Sequence, residues 1–496
     1  MMDVLQHLFS GFTVALQLNN LFYCFLGTLL GTVVGMLPGI GPIGTMSILL
    51  PLTFHMSPIS SIIMLAGVYY GAMYGGTITS VLINIPGEAA SVVTCLDGYQ
   101  MAKQGRAGPA LGVAAIGSFI AGTLGLVGLM FFAGPLSELG LRFGPPEYFS
   151  VVLLGLTLVI YLTHGSVLKG FIMMISGLIL SCIGLDNITG TARMTYGTMY
   201  LWDGVELVPL AMGLFGISEL FVNIEKSVIL DVLTKKIENI YPTAQDWIEV
   251  KWALIRGTII GFFLGILPGG GPVVASFVCY SVEKRISKTP EKFGKGAIEG
   301  VASPESANNS AVSGAFIPFL TLGIPPNVTM AMLYGAFLVH GLSPGPFLIT
   351  DHPDLFWGLI SSMYIGNGML LVLNLPLIPL WVKILKVRYN ILFPIILLFC
   401  IVGSYSVRSS VLDVFVMMLF GIVGYLFGKF GYEPAPLMLA YVLGPMFEKN
   451  LRQSLLMSQG DFSIFFIRPI SAVAFIAAII FFIASFYFFV TKKKTI

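Results

Sequence analysis

Gly35-Met36-Leu37-Pro38-Gly39-Ile40-Gly41-Pro42 returns 230 residues later as Gly265-Ile266-Leu267-Pro268-Gly269-Gly270-Gly271-Pro272. Each copy lies within a long apolar run, where a helix should cross a bilayer. Each also holds two prolines and several glycines. Proline removes a backbone donor and clashes with the preceding turn, and glycine costs about 1 kcal/mol in a helix interior. In hydrocarbon the freed N–H and C=O groups need other partners. A single such break reads equally as a kink. Two matched breaks in corresponding halves predict broken helices whose exposed backbone holds a solute or ion near mid-membrane.

Composition supports the membrane setting. Of 496 residues, 56% are hydrophobic and 10% charged, well below the roughly 25% charge of soluble domains. Apolar runs of about twenty residues indicate helices rather than the short alternating strands of a barrel. The fold class expected is therefore an all-α polytopic membrane protein. A net charge of +2 gives no nucleic-acid footprint. Cys24, Cys95, Cys182, Cys279 and Cys400 have neither metal-ligand nor redox spacing and read as apolar fillers. No signal peptide is evident at the N-terminus.

Residues 1–17 read as a mildly amphipathic lead-in, at the interface or opening the first span. A first repeat covers 18–223, a polar connection 224–251, and a second repeat 252–457. A terminal span and basic tail occupy 458–496. Lys284 to Lys295 and the lysines at 492–494 predict cytoplasmic segments by the positive-inside rule.

The duplication extends past the central motif. Ile85-Pro86 answers to Ile324-Pro325, and Met173-Met174 to Met417-Met418. Span counting does not separate parallel from inverted repeats; the inverted arrangement, with re-entrant hairpins, is the expectation.

The polar groups near the breaks are neutral or acidic. Candidate solute- or ion-binding residues in the first half are Pro38, Gly39, Ile40, Gly41, Thr45, Thr77, Ser80, Asn84, Pro86, Gly87 and Glu88. Those of the second half are Pro268, Gly269, Gly270, Gly271, Ser303, Glu305, Ser306, Asn308, Asn309, Thr321, Pro325 and Asn327. No arginine adjoins either Pro-Gly break, so an anion would be held by backbone N–H groups at half-helix starts. Carbonyl, Asn and Thr oxygens could coordinate a small cation. Glu88 and Glu305 are the acidic candidates, although Glu88 could equally cap the helix after Pro86-Gly87 at a surface. The clusters around Asn84 and Asn308-Asn309 are expected to meet between the repeats. His55, His164 and His340 read as loop or interface residues.

No nucleotide-binding, metal-protease or nucleophile signature is present, which argues against an enzyme and against any cofactor. A channel would want one continuous pore with repeated filter residues. Here the breaks are duplicated and the polar clusters differ, so a secondary transporter is the better reading. A channel, or a permease for another small organic solute, is the alternative.

At these motifs the chain resembles the large membrane subunit of the tripartite tricarboxylate transporters, the TctA family. Gly75-Gly76-Thr77-Ile78-Thr79-Ser80, Asn84-Ile85-Pro86-Gly87-Glu88 and Asp97-Gly98-Tyr99 carry the resemblance with the first Pro-Gly motif. Leu267-Pro268-Gly269-Gly270-Gly271, Ala302-Ser303-Pro304-Glu305-Ser306-Ala307-Asn308-Asn309 and Gly323-Ile324-Pro325 carry it in the second half. The resemblance implies an ion-gradient-driven permease of the bacterial inner membrane, taking up di- or tricarboxylates such as citrate. It also implies a small membrane subunit of about four helices, a periplasmic solute-binding protein and an elevator-like motion. Inward movement of an anion opposes the membrane potential by about 2.3 kcal/mol per charge per 100 mV, so a cotransported cation is expected. The neutral oxygens near the breaks favour sodium over a proton.

Overall fold

A computed structural model describes residues 2–37, 41–162, 166–186, 188–226, 240–269, 271–384 and 389–492. Pro38, Gly39, Ile40, His164 and Gly270 lie outside this set.

The described residues are almost wholly helical. The first half comprises α1 (Met2–Ala15), α2 (Leu18–Met36), α3 (Gly41–Leu49), α4 (Pro58–Ile83), α5 (Val92–Lys103) and α6 (Ala107–Gly140). It continues with α7 (Pro145–Leu162), α8 (Val167–Ser181), α9 (Leu207–Ala211) and α10 (Ser218–Lys226). A π-helical turn, Met212–Ile217, joins α9 to α10. Next come α11 (Ala244–Ile266), α12 (Gly271–Ile286), α13 (Glu299–Leu322), α14 (Val328–Val339), α15 (Leu348–Asp351), α16 (Pro353–Asn374) and α17 (Ile378–Ile384). The chain ends with α18 (Tyr389–Arg408), α19 (Val411–Lys429), α20 (Pro434–Met457), α21 (Ile464–Ile467) and α22 (Pro469–Lys492). Five of these helices are long and apolar enough to cross a membrane. The sole sheet among the described residues is a two-residue antiparallel pairing of β1 (Gly184–Leu185) with β2 (Ala192–Arg193).

Two helix pairs form the centre, and glycine sets their spacing. In α2, Gly27, Gly31 and Gly35 face Met64, Val68 and Ala72 of α4, and a methyl on any of the three would overlap α4 backbone. In α11, Gly257, Gly261 and Gly265 stand in the same relation to Ser303, Ala307 and Ala311 of α13. Small residues at four-residue spacing allow backbones to approach this closely in a membrane. Residue numbers rise together within each pair, so each pair runs in one direction. Between pairs they run oppositely: Thr77 of α4 bonds Glu305, while Tyr69, two turns earlier, bonds Asn327 beyond the end of α13.

Within these pairs, α4 and α13 are enclosed by other helices. Every residue from Ser60 to Ile83 of α4 and from Gly300 to Leu322 of α13 is buried. The polar stretch around Ser303–Ser310 and the apolar stretch 314–324, distinct in the sequence, form one continuous helix that includes Pro304 and Pro318. Two of its hydroxyls bond backbone here: Ser306 donates to the Ala302 carbonyl at 2.7 Å, and Ser310 to that of Thr258 at 2.7 Å. Part of the expected polar connection is helical, since α11 begins at Ala244 with a capping box between Thr243 and Asp246.

A second group of helices packs outside. α7 packs with α20 and α22, α8 with α20, and α19 with the π-helical turn. These helices turn large apolar side chains outward, among them Ile172, Ile179, Phe415, Ile422 and Ile480, as a lipid-facing belt requires.

Candidate functional site

The two central pairs end alike. Each helix closes on a left-handed residue, Asn84 (φ 57°) after α4 and Gly323 (φ 70°) after α13. Each then passes through Ile-Pro and restarts on a side-chain cap. Glu88 Oε2 accepts from the Ala90 N–H at 2.9 Å, and Asn327 Oδ1 from the Met330 N–H at 3.0 Å. The Pro-Gly motifs likewise terminate α2 and α11 and precede α3 and α12. The second tip is pinned, with Gly269 N–H donating to the Pro326 carbonyl at 2.8 Å.

All four interruptions line one cavity of about 620 Å³. Gly41-Pro42-Ile43 and Pro86-Gly87-Glu88-Ala89 come from the first half. Gly269, Gly271-Pro272-Val273-Val274 and Pro326-Asn327-Val328-Thr329 come from the second, with Tyr69 and Met73 of α4 between them. The opposite wall is Val159 of α7, Phe215 of the π-helical turn, Glu219 of α10, and Glu433-Pro434-Ala435-Pro436 with Leu439 at the start of α20. The volume suits a small organic solute.

The starts of α3, α12, α14 and α20, and of the short turn leading into α5, are all at this cavity. A helix start carries about half a positive charge and unpaired N–H donors. None of the described residues lining the cavity is Lys, Arg or His, whereas Glu88, Glu219 and Glu433 are acidic. Backbone N–H groups are therefore the features able to hold an anion here, and the ionisable carboxyl side chains on the walls are acidic.

Behind Glu88 the polar groups continue inward. Its Oε1 is buried without a hydrogen-bond partner, and so are both amide atoms of Asn308, which faces it. One turn earlier in α13, Glu305 is enclosed by hydroxyls: Thr77 of α4 donates to Oε2 at 2.7 Å, and Thr94 of α5 donates to Oε1. Asn309 donates to Ser118 of α6 at 2.7 Å and to the Glu305 carbonyl at 3.0 Å.

Of the residues singled out from sequence, Gly41, Pro86, Gly87, Glu88, Gly269, Gly271 and Asn327 line the cavity. Glu88 is a helix cap, the alternative reading of it, but a buried one on the cavity wall and not at a surface. Thr77, Glu305, Asn308 and Asn309 form the layer behind it. Pro268 packs against Gly155 of α7. Asn84 is the exposed C-cap of α4 and does not line the cavity. Thr45, Ser80 and Thr321 bond carbonyls four residues back in their own helices. Ser306 does the same, Ser303 faces Gly257 of α11, and Pro325 is buried beside the lining residue Pro326. The wall of Val159, Phe215, Glu219 and Glu433–Leu439 was not expected. Glu219 gave the one sequence signal for it, an acid inside an apolar run.

The family model for the tripartite tricarboxylate transporter TctA family matches residues 21–439. The chain belongs to that family. TctA proteins are transporter components, and with the apolar helices this makes the chain a multi-pass membrane permease subunit of a tripartite tricarboxylate-type system. The chain is 51% identical over 472 residues to the "Uncharacterized 52.8 kDa protein in TAR-I ttuC' 3'region" of Agrobacterium vitis, covering 95% of this chain and 94% of that one. It is 54% identical over 212 residues to an "Uncharacterized protein in TAR-II ttuC' 3'region" of the same organism, covering 43% of this chain and 88% of the relative. No solved structure matches the chain.

Proposed function

We propose that the chain is the large permease subunit of an ion-gradient-driven, binding-protein-dependent importer of di- or tricarboxylates in a bacterial inner membrane. The observation that carries this is the meeting of four helix interruptions on one cavity. Helix starts without basic side chains can hold a carboxylate through N–H groups and release it again. A trapped lysine or arginine would hold it harder. The acidic residues on the same walls oppose an unaccompanied anion, which supports cotransport of cations, sodium ahead of protons.

The working architecture is a pair of inverted repeats. Support comes from recurrence and direction. Gly27, Gly31 and Gly35 recur 230 positions later as Gly257, Gly261 and Gly265. Ile85-Pro86 recurs as Ile324-Pro325 behind the same left-handed cap. The two central pairs run oppositely. The motion we favour is an elevator: the body carrying the four interruptions slides along the wall of α7, α10 and α20. A small four-helix membrane subunit and a periplasmic binding protein complete the system, and the basic segment Lys284–Lys295 and the C-terminus face the cytoplasm.

The test is uptake of radiolabelled carboxylates into sealed vesicles holding this chain and its small subunit, with binding protein outside. A sodium gradient at constant pH should drive accumulation. Uptake driven only by a proton gradient would overturn the sodium assignment, and uptake requiring ATP would overturn secondary transport.

A further inference from the structure

Behind the Glu88 wall of the cavity, three buried polar atoms of two facing side chains make no hydrogen bond of normal geometry: Glu88 Oε1, Asn308 Oδ1 and Asn308 Nδ2. Asn308 is 0% exposed and Glu88 9%. The two side chains come from different halves, Glu88 from the break after α4 and Asn308 from mid-α13. A buried amide left without partners is destabilising, and an unpaired buried carboxylate more so. Nearby polar side chains are already committed. Thr77 and Thr94 serve Glu305, and Asn309 serves Ser118. None of the described lining residues is basic. A cation would take lone pairs from the Glu88 carboxylate oxygen and the Asn308 amide oxygen and offset one negative charge, leaving Asn308 Nδ2 to donate to water or to a substrate carboxylate.

We propose that Glu88 and Asn308 together hold one sodium ion. A hard cation takes carboxylate and amide oxygens. The single carboxylate matches a monovalent charge. Glu88 lines the cavity, so water or a substrate carboxylate can complete the coordination from that side. Its other oxygen is fixed by the Ala90 N–H, which holds Oε1 toward Asn308. The ion then bridges the halves and places positive charge where an anion enters. This assignment rests on the importer reading and names the residues that couple it to sodium.

The experiment is thermal unfolding of the purified full chain in detergent, with sodium chloride exchanged for choline chloride at constant ionic strength. A ligand that binds the folded state raises its melting temperature by mass action. The wild type should melt higher as sodium rises. Asn308→Leu removes the orphaned amide, so it should melt no lower than wild type in choline and lose the sodium response. Glu88→Gln should raise the half-saturating sodium concentration about tenfold or more. Asn308→Asp, which keeps an oxygen at that position, should retain the response. A wild type indifferent to sodium, or an Asn308→Leu protein that responds as wild type does, overturns the assignment. Sodium-driven vesicle uptake that persists in Asn308→Leu would overturn the site and leave the importer intact. Sodium stabilisation without gradient-driven uptake would uphold the site and overturn the importer.

Discussion

Asp97 accepts four hydrogen bonds from a segment some two hundred residues away. It is wholly buried, and its Oδ1 accepts the N–H groups of Gly294, Gly296 and Ala297 at 2.7–2.8 Å. The Tyr280 hydroxyl donates to Oδ2 at 2.9 Å. One carboxylate thus ties the basic segment before α13 to α5. Asp97→Ala would orphan these donors, and we expect a loss of about 3 kcal/mol. Thermal unfolding should show it, with faster tryptic cleavage between Lys284 and Lys295. Unchanged cleavage would contradict the tether. Asp186, in the extramembrane connection before β2, makes a second prediction. Hydrogen bonds from Arg452, then from the Ile188 N–H and the Thr189 hydroxyl, hold its carboxyl well below the usual range. A depressed folded value gives stability that is complete above the unfolded value of about 4 and is lost as pH falls toward the folded one. Hydrogen exchange in 184–193 should therefore be independent of Asp186 protonation from pH 7 to 5. Loosening should begin only below about pH 4, and Asp186→Asn should abolish that acid step.

At the scale of the helix, contact distance is set by glycine. Replacing Gly31 or Gly261 with alanine puts a methyl against the backbone of the partner helix. We expect losses of about 1–3 kcal/mol each, additive within error because the two lie in different pairs. Gly269→Val is a different case. Gly269 has φ +78°, and a β-carbon there meets Val159 backbone at 2.9 Å. Uptake should fall to background while the protein still inserts; normal uptake would remove the tip from the mechanism. The tips were legible in the sequence because proline and glycine announce a lost helix wherever they interrupt an apolar run. Glu305 and Asn308 were legible as members of a polar stretch beside an apolar one. That α13 runs unbroken through Pro304 was not, since its support lies on other helices: Gly257, Gly261 and Gly265 admit its backbone, and Thr258 accepts from Ser310. The far wall was hidden for a related reason. Glu219 and Glu433 stand more than two hundred residues apart, and neither periodicity nor spacing links them.

For the whole molecule, the proposed elevator would move the elements carrying the four interruptions against α7, α10 and α20, which line the same cavity. If one slides past the other, joining them stops transport. Gly155 of α7 and Pro268 of the second tip suit this, for a β-carbon on Gly155 would stand 3.0 Å from that of Pro268. A protein carrying Gly155→Cys and Pro268→Cys should form a disulfide on oxidation, lose uptake, and recover it on reduction. Full uptake in the oxidised protein would exclude sliding at this contact. Partner dependence belongs to the same scale: vesicles with this chain alone should accumulate little solute, and adding the small subunit and binding protein should restore it.

The sealing of α4 also bears on how the protein is made. This helix carries Ser60, Ser61, Thr77, Thr79 and Ser80, and in the finished molecule none of them meets lipid. Yet α4 leaves the ribosome long before α13, whose Glu305 takes the Thr77 hydroxyl. Their facing ends, Ile83 and Glu299, are 216 residues apart in the chain, which at about 5–20 residues per second is roughly 10–40 s of synthesis. Throughout that interval α2 can cover one flank of α4, and the flank meant for α13 has no occupant from its own chain. The nascent protein must therefore be sheltered at the translocon, or it must let α13 slip between helices already in the bilayer. Quality control in the membrane would meet its most vulnerable substrate in a chain stalled between α6 and α13.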